Sequence, residues 1–274
     1  MKMRVFGLSI LMVICFGMNA YAAEFDRSQW DRRITLRGGA INYNMSGKFS
    51  SYRDDQPKET VDMDDLGLDE DYTALFVNGS LRIGDRWRLQ LDYFGYHEDS
   101  TKRSDFDFEY DDVIIPVGAT VDSKLDIDLY VANLSYDIYQ TERSRLSVGL
   151  GAHIADLDLE ISGEIRSGGT SVSLGEGDES VLAPLPNIYI AGSYALRENL
   201  ILNYGGGWMS LGYGDYDGDL VFARGMLEYW PFEHVGIGGG YVLTKADIKY
   251  DPGHKKETYD ITMPGPVIYL VVGF

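Results

Sequence analysis

The chain has 274 residues, with 24 basic and 43 acidic side chains and a formal net charge of −19. Such an acidic balance excludes nucleic acid as an expected partner. Aromatic residues reach 13%, with 20 tyrosines, so this is a folding chain and not an acidic disordered segment.

The N-terminus reads as a secretory leader. Lys2 and Arg4 precede an apolar stretch from Val5 to Phe16, and Ala20-Tyr21-Ala22 fits the small-x-small cleavage rule. The stretch is too short to span a bilayer as a helix. Cleavage after Ala22 is expected, dividing the chain into a signal peptide, 1–22, and one domain, 23–274. The mature chain would have 252 residues and, without Lys2 and Arg4, a net charge of −21. Cys15, the single cysteine, lies inside the leader, which leaves no disulfide and no Cys-ligated metal.

Beyond the leader the dominant signal is alternation. Trp87, Leu89, Leu91 and Tyr93 alternate with Arg88, Gln90 and Asp92. Leu146, Val148, Leu150, Ala152 and Ile154 alternate with Ser147, Gly149, Gly151 and His153. Val221, Ala223, Leu227 and Tyr229 alternate with Arg224, Met226 and Glu228. Periodicity fixes two faces but does not say which one is wet. Ten strands are expected at 33–49, 72–83, 86–99, 121–139, 144–162, 185–196, 200–212, 219–231, 234–250 and 258–274. Short turns at 84–86, 140–144, 197–199 and 231–234 alternate with longer polar segments at 50–71, 100–120, 163–184, 212–219 and 251–257. That alternation suits an antiparallel transmembrane barrel with both termini in the periplasm. Eight strands is the alternative, if the hairpin read at Asp217-Gly218 is spurious. In the fourth strand Leu125, Ile127 and Leu129 fall in one phase and Ala132, Leu134, Tyr136 and Ile138 in the other, which implies a bulge or a loop extension. Tyrosine and tryptophan near strand ends predict aromatic girdles: Trp87, Tyr139, Tyr194, Trp230 and Phe274 at one rim, Tyr43, Tyr96, Trp208, Tyr213, Tyr250 and Tyr259 at the other.

The last strand reads Ile268-x-Leu270-x-Val272-x-Phe274. With the leader and the alternating hairpins, it makes the chain resemble small Gram-negative outer-membrane β-barrel proteins of the broad porin-like and OmpW/opacity type. The resemblance implies an all-β, antiparallel barrel in the cell outer membrane, surrounded by lipid and lipopolysaccharide. It also implies that the barrel-assembly machinery reads the final strand ending in Phe274. A monomer is expected, without a cofactor.

In that arrangement Arg37, Arg82, Arg88, Asp92, Arg224 and Glu228 line the lumen, with Asn78, Gln90 and Asn203. Arg82 and Arg88 would pair near Asp92, and Arg224 with Glu228, as a structural network or as the walls of a narrow pore. Inward glycines, Gly149, Gly151, Gly205 and Gly207, would leave space for water. Acid is concentrated in the loops, where Asp62, Asp64, Asp65, Asp215, Asp217 and Asp219 are candidate weak surface cation ligands. Asp62-x-Asp64 with Gly67 begins like a calcium loop, but Leu66 and Thr73 stand where ligands belong. The expected function is a non-enzymatic barrel, either a narrow solute channel or a structural, surface-interaction protein. The alternative is a rim hydrolase acting on lipid A or peptides around His97, although Ser100 should fall on the opposite face of the strand.

Overall fold

The computed structural model describes residues 27, 30–53, 60–68, 71–105, 107–110, 113–167, 170–213, 215–251, 253 and 255–274. The leader and its cleavage site lie outside them. Ten antiparallel strands close into a ring: β1 (Ile34–Asn44, continued by Ser46–Arg53), β2 (Asp71–Ile83), β3 (Trp87–Arg103), β4 (Thr120–Gln140), β5 (Ser144–Ser167), β6 (Thr170–Arg197), β7 (Leu200–Tyr213), β8 (Tyr216–Tyr229), β9 (Val235–Tyr250) and β10 (Lys255–Gly273). β1 closes on β10 from Thr35↔Gly273 to Ile41↔Val267, and Ile34 and Phe274 exchange backbone hydrogen bonds, so the start of β1 and Phe274 lie at the short-turn end. Ten strands, not eight, is the count.

Two expected loops are strand instead. The segment 163–184 belongs to the long β5–β6 hairpin, paired from Thr170↔Ser167 onward. Asp217-Gly218 is not a turn: both residues pair within β8, and the chain reverses between Tyr213 and Tyr216. Glycine, serine and acid depress strand propensity, but a neighbouring strand that continues supplies the partners that decide the matter.

Closure fixes which alternate residues face inward, and the polarity of the two faces reverses along the barrel. β4 runs in one register against β5 from Thr120↔Glu164 to Asp137↔Ser147, so no bulge separates the two apolar phases; the only shift lies at 137/139. Towards the short turns, Asn133, Ser135 and Asp137 are buried inside, while Leu134, Tyr136 and Ile138 are exposed outside. Towards the long loops the same inward phase carries Val121, Leu125, Ile127 and Leu129, and the outward phase Asp122, Lys124, Asp126 and Asp128. The lower half is therefore greasy outside and polar inside, as lipid requires. The upper half is a water-facing barrel with a hydrophobic core. This reversal corrects the loop-end girdle: Tyr43, Tyr96 and Tyr259 are buried in the upper core, and Trp208, Tyr130 and Tyr241 are the exposed rings. At the other rim Trp230 is also buried, beneath the Arg32 guanidinium.

The upper half parts along two seams. β2 and β3 pair only from Ile83↔Trp87 up to Val77↔Tyr93, and β6 and β7 only up to Ile188↔Trp208. Above these rows a four-stranded sheet (β3–β6) faces a six-stranded one (β7–β10, β1, β2), with Tyr43 edge-on to Phe94 and His153 beside Phe222 between them. The first seam is stapled by the returning loop. Met63, Leu66 and Leu68 enter the core, the Ser100 hydroxyl donates to the Gly67 carbonyl at 2.7 Å and Lys102 Nζ to that of Asp64 at 2.5 Å. Gly67 has φ +75°, and a β-carbon there would press on Ser100.

The second seam follows from Pro184-Leu185-Pro186. A proline is tolerated in a ladder only where its missing N–H turns away from the partner. The β5–β6 ladder is unbroken through both prolines, so the positions without donors face β7, where pairing stops. Pro264-Gly265-Pro266 does the same in β10: the β9–β10 ladder continues, while pairing with β1 lapses between Ile41 and Ser46. Replacing Pro184 and Pro186 together by valine should extend β6–β7 pairing and slow amide exchange across 209–213, leaving the β5 amides unchanged. Unaltered exchange at 209–213 would assign the seam to another cause.

Candidate functional site

The candidate site is the polar interior of the lower half. Tyr269 (β10) donates to Glu228 (β8) at 3.1 Å; Arg37 (β1) donates to the same Glu228 oxygen at 2.6 Å and to Asn78 (β2) at 2.7 Å. Asn78 donates to Asp92 (β3) at 2.6 Å, and Gln90 reaches the other Asp92 oxygen at 2.7 Å. Arg224 (β8) crosses the lumen to Asp92 at 3.3 Å, to the Tyr189 hydroxyl (β6) at 2.6 Å and to the Gln90 amide oxygen. One connected network thus bridges opposite walls, with Glu228 3% and Arg37 12% exposed at the side chain.

A second cluster fills the short-turn mouth. Arg88 (β3) donates to Asp137 (β4) at 2.9 Å and meets Asp31 at 2.8 Å. Arg145 (β5) lies 3.3 Å from Asp31 and donates to Ser193 (β6), whose hydroxyl donates to Asn203 (β7). Ser147 donates to Asp137 at 2.5 Å. Asp31 precedes β1 and comes with its own anchors: Arg27 pairs with it at 2.7 Å and donates to Gln140, and the Trp30 indole donates to the Glu142 carbonyl at 2.8 Å. Burial opposes the Asp31 charge, but Arg145 and Arg88 beside it and hydrogen bonds from Arg88 and Arg27 outweigh that, holding its carboxyl below the ordinary aspartate value.

The partners differ from those expected. Arg224 meets Asp92 instead of Glu228, which belongs to Arg37, and Arg88 is taken by Asp137 and Asp31. Arg82 lies in the inward phase directly opposite Arg88 in the β2–β3 ladder and is not joined to Asp92. Strand phase alone cannot supply these pairings, because a long guanidinium chooses among acids on several walls. Asp137 and Arg145 were legible as polar members of apolar strands. Asp31 was not, because it precedes the first periodic residue.

The inward glycines do not hold water-filled space. A β-carbon at Gly207 would overlap the Phe222 ring, and one at Gly151 the Asn133 amide, so the missing side chains make room for neighbours. Above the network, Phe94, Ile127, Leu129, Leu157, Met209, Leu220 and Phe222 continue inward as the apolar core.

On the outside, the acids form a collar above the apolar belt. Asp126 stands opposite Asp158 and Asp128 opposite Asp156. Lys124 bridges Asp126 at 3.0 Å and Glu160 at 3.1 Å, and hydrogen bonds to these carboxylates raise its ammonium above the usual lysine value. His97 points outward, 3.5 Å from Asp128, which also accepts from the Tyr93 hydroxyl at 2.8 Å. Ser100 is turned to the interior, so the two do not meet. The proposed cation ligands are scattered. Asp62 is 3.1 Å from Lys48, the Asp65 carboxylate accepts the Asp62 N–H, and Asp217 and Asp219 lie along β8. Among the described residues no three His, Cys, Asp or Glu side chains stand close enough to share a metal ion.

A closed ten-stranded ring with an apolar outer belt and a polar interior defines an integral outer-membrane β-barrel, and the chain resides in the outer membrane. Among solved structures it is similar to the outer membrane protease OmpT from Escherichia coli, at 8% identity, with a TM-score of 0.55, over 88% of this chain and 97% of that one. Fainter likenesses are to the outer membrane protein OprG from Pseudomonas aeruginosa (13% identity, TM-score 0.36, 88% and 95% covered) and the Pseudomonas putida toluene transporter TodX (8%, 0.35, 88% and 90%). Only the first is close enough to speak to the fold, and at such identity it speaks to nothing else. No family model and no curated protein matches the sequence.

Breaking a buried pair leaves an uncompensated charge, so Glu228→Gln should destabilise the barrel by about 3–5 kcal/mol in equilibrium unfolding from micelles. Arg37→Met with Glu228→Leu should recover most of that loss. A single variant indistinguishable from the parent would deny Glu228 its structural weight. Because the Asp31 value is depressed on folding, docking of the N-terminal segment is favoured above the ordinary aspartate range, about pH 4, and lost as pH falls through the lowered value. Trp30 fluorescence, followed with the other tryptophans replaced by phenylalanine, should report release only in that acid window. Release on raising the pH would contradict the sign.

Proposed function

We propose that this protein is a closed, non-enzymatic outer-membrane barrel, monomeric, that acts as a structural and surface-interaction platform and not as an open solute channel. One observation supports this reading: paired side chains bridge the lumen at two levels, and an apolar core follows them. The mouth cluster around Asp31, the network joining Arg37, Glu228, Asp92 and Arg224, and the apolar core succeed one another. A conducting pore needs a continuous wet path that an ion can enter and leave. Here the walls spend their charges on each other, and the upper half has a core suited to soluble sandwiches.

In this reading the short-turn end and both termini face the periplasm, following the habit of short periplasmic turns and longer outer connections. The upper sandwich then stands clear of the membrane, its outer face acidic. The collar of Asp126, Asp128, Asp156 and Asp158 lies at head-group height, where lipopolysaccharide is the neighbour, and the terminal strand ending in Phe274 is the segment offered to the barrel-assembly machinery. His97 beside Asp128 is half exposed on the outer face of the strand, where water reaches it, which supports the non-enzymatic reading.

Planar-bilayer recording of the purified, folded protein tests the proposal. The expected trace is silent across the usual voltage range. A paired Arg224→Ala and Glu228→Ala variant should become leaky only if the apolar core above is also breached. Stable, discrete conductance from the unaltered chain would overturn the closed reading in favour of a channel.

A further inference from the structure

We propose that Arg88 and Arg145, at the short-turn mouth, form a binding site for a small oxyanion, a carboxylate or phosphate, which the chain's own Asp31 occupies as a tethered plug. The two arginines belong to the wall. Arg88 is held by Asp137 and Arg145 by Ser193, with side chains 11% and 20% exposed. Asp31 does not belong to the wall: it arrives on a segment before β1, fastened by the Trp30 indole on the Glu142 carbonyl and by Arg27 on Gln140.

Lost contacts make the case. With the segment in place, Arg27, Arg88 and Arg145 face Asp31 and Asp137. Lift the segment out and Arg27 and Asp31 leave together: the excess of one positive charge is unchanged, but Arg145 loses the carboxylate it meets and is left on the Ser193 hydroxyl, while Arg88 keeps Asp137. An uncompensated guanidinium shielded from water is costly, so the emptied mouth should draw an anion from solution. Geometry selects its kind. One Arg88 nitrogen lies 2.8 and 2.9 Å from the two Asp31 oxygens, one Arg145 nitrogen lies 3.3 Å from the first of them, and the second also takes the Arg27 contact. An anion with two oxygens, a carboxylate or phosphate, can meet donors spaced in this way, whereas a spherical halide offers a single centre. A tethered carboxylate competes at an effective concentration on the order of millimolar, so a free anion gains the site only in excess or when the N-terminal segment is drawn away. The site is built from Arg88 and Arg145 on the wall and Asp31 on the segment, so this inference does not depend on whether the barrel conducts.

Chemical rescue tests it. In Asp31→Ala, acetate and, separately, phosphate should restore at least half of the lost heat-modifiability midpoint, where chloride at matched ionic strength restores none. Phosphate, followed by its phosphorus resonance, should bind this variant about tenfold more tightly than the unaltered chain, which still carries its competitor. Rescue by acetate alone or phosphate alone supports the site and names its preferred anion. Adding Arg145→Gln should abolish rescue. Equal effects of acetate, phosphate and chloride, or rescue that survives the Arg145 change, would overturn the proposal. Should Asp31→Ala fail to fold, a spin label at Ser28→Cys in the otherwise unaltered chain gives the answer. Mobilisation by phosphate but not by chloride supports displacement, and identical spectra refute it.

Discussion

Ring closure is the constraint on which the rest depends. Once β1 closes on β10, each residue in ten strands is committed to the inside or the outside, and no local change of heart is available without a bulge. The surroundings are less constant. Near the short turns the outside is acyl chain, and beyond the belt it is water. β4 meets both solvents in one register, so its side-chain chemistry must reverse where its geometry cannot. Asp128 and Tyr130 are consecutive members of the outward phase and mark the crossing, as Leu129 and Asn133 mark it inside.

The reversal explains why the barrel does not stay round. A polar lumen can be spanned by long arginines that pair across it, which tolerates a wide ring. An apolar interior has no such reach and must collapse to contact. Two sheets approaching face to face satisfy it, and a ring that flattens loses ladder at its two folds. The seams at β2/β3 and β6/β7 are where that loss is taken. At one, loop residues Leu66 and Leu68 fill the fold; at the other, two prolines remove donors that would have been left idle. Strand edges bare of partners invite pairing with other chains, and proline is among the means by which natural sheets discourage it.

Much of the lower half was legible in the sequence because lipid imposes a strict period of two over it. The strand count, the short turns and the inward phase of Arg37, Arg88, Asp92, Arg224 and Glu228 all follow from that period. The upper half was read less well for the same reason. Leu125 and Leu134 demand different faces only if the outside is lipid throughout, and Tyr96 and Tyr259 are girdle residues only if the membrane reaches that far. The signals were present: outward acids replacing outward leucines in β4, and Pro-x-Pro inside two strands. The salt-bridge partners were not legible, since pairing across a lumen depends on which walls flattening brings together.

Those partners are worth weighing against an apolar alternative. Buried ion pairs seldom add net stability over well-packed hydrophobic groups, and the apolar core immediately above shows that this chain can pack one. Within the belt, however, the polar lumen distinguishes inside from outside. A strand greasy on both faces could slip by one residue at small cost, whereas slipping β8 would carry Arg224 and Glu228 into lipid, where charge is heavily penalised. Tyr189 and Tyr269 reinforce this by giving each ion pair a third, neutral partner held on another strand. The network thereby fixes register and facing, a task that the ion pairs perform whatever net stability they add.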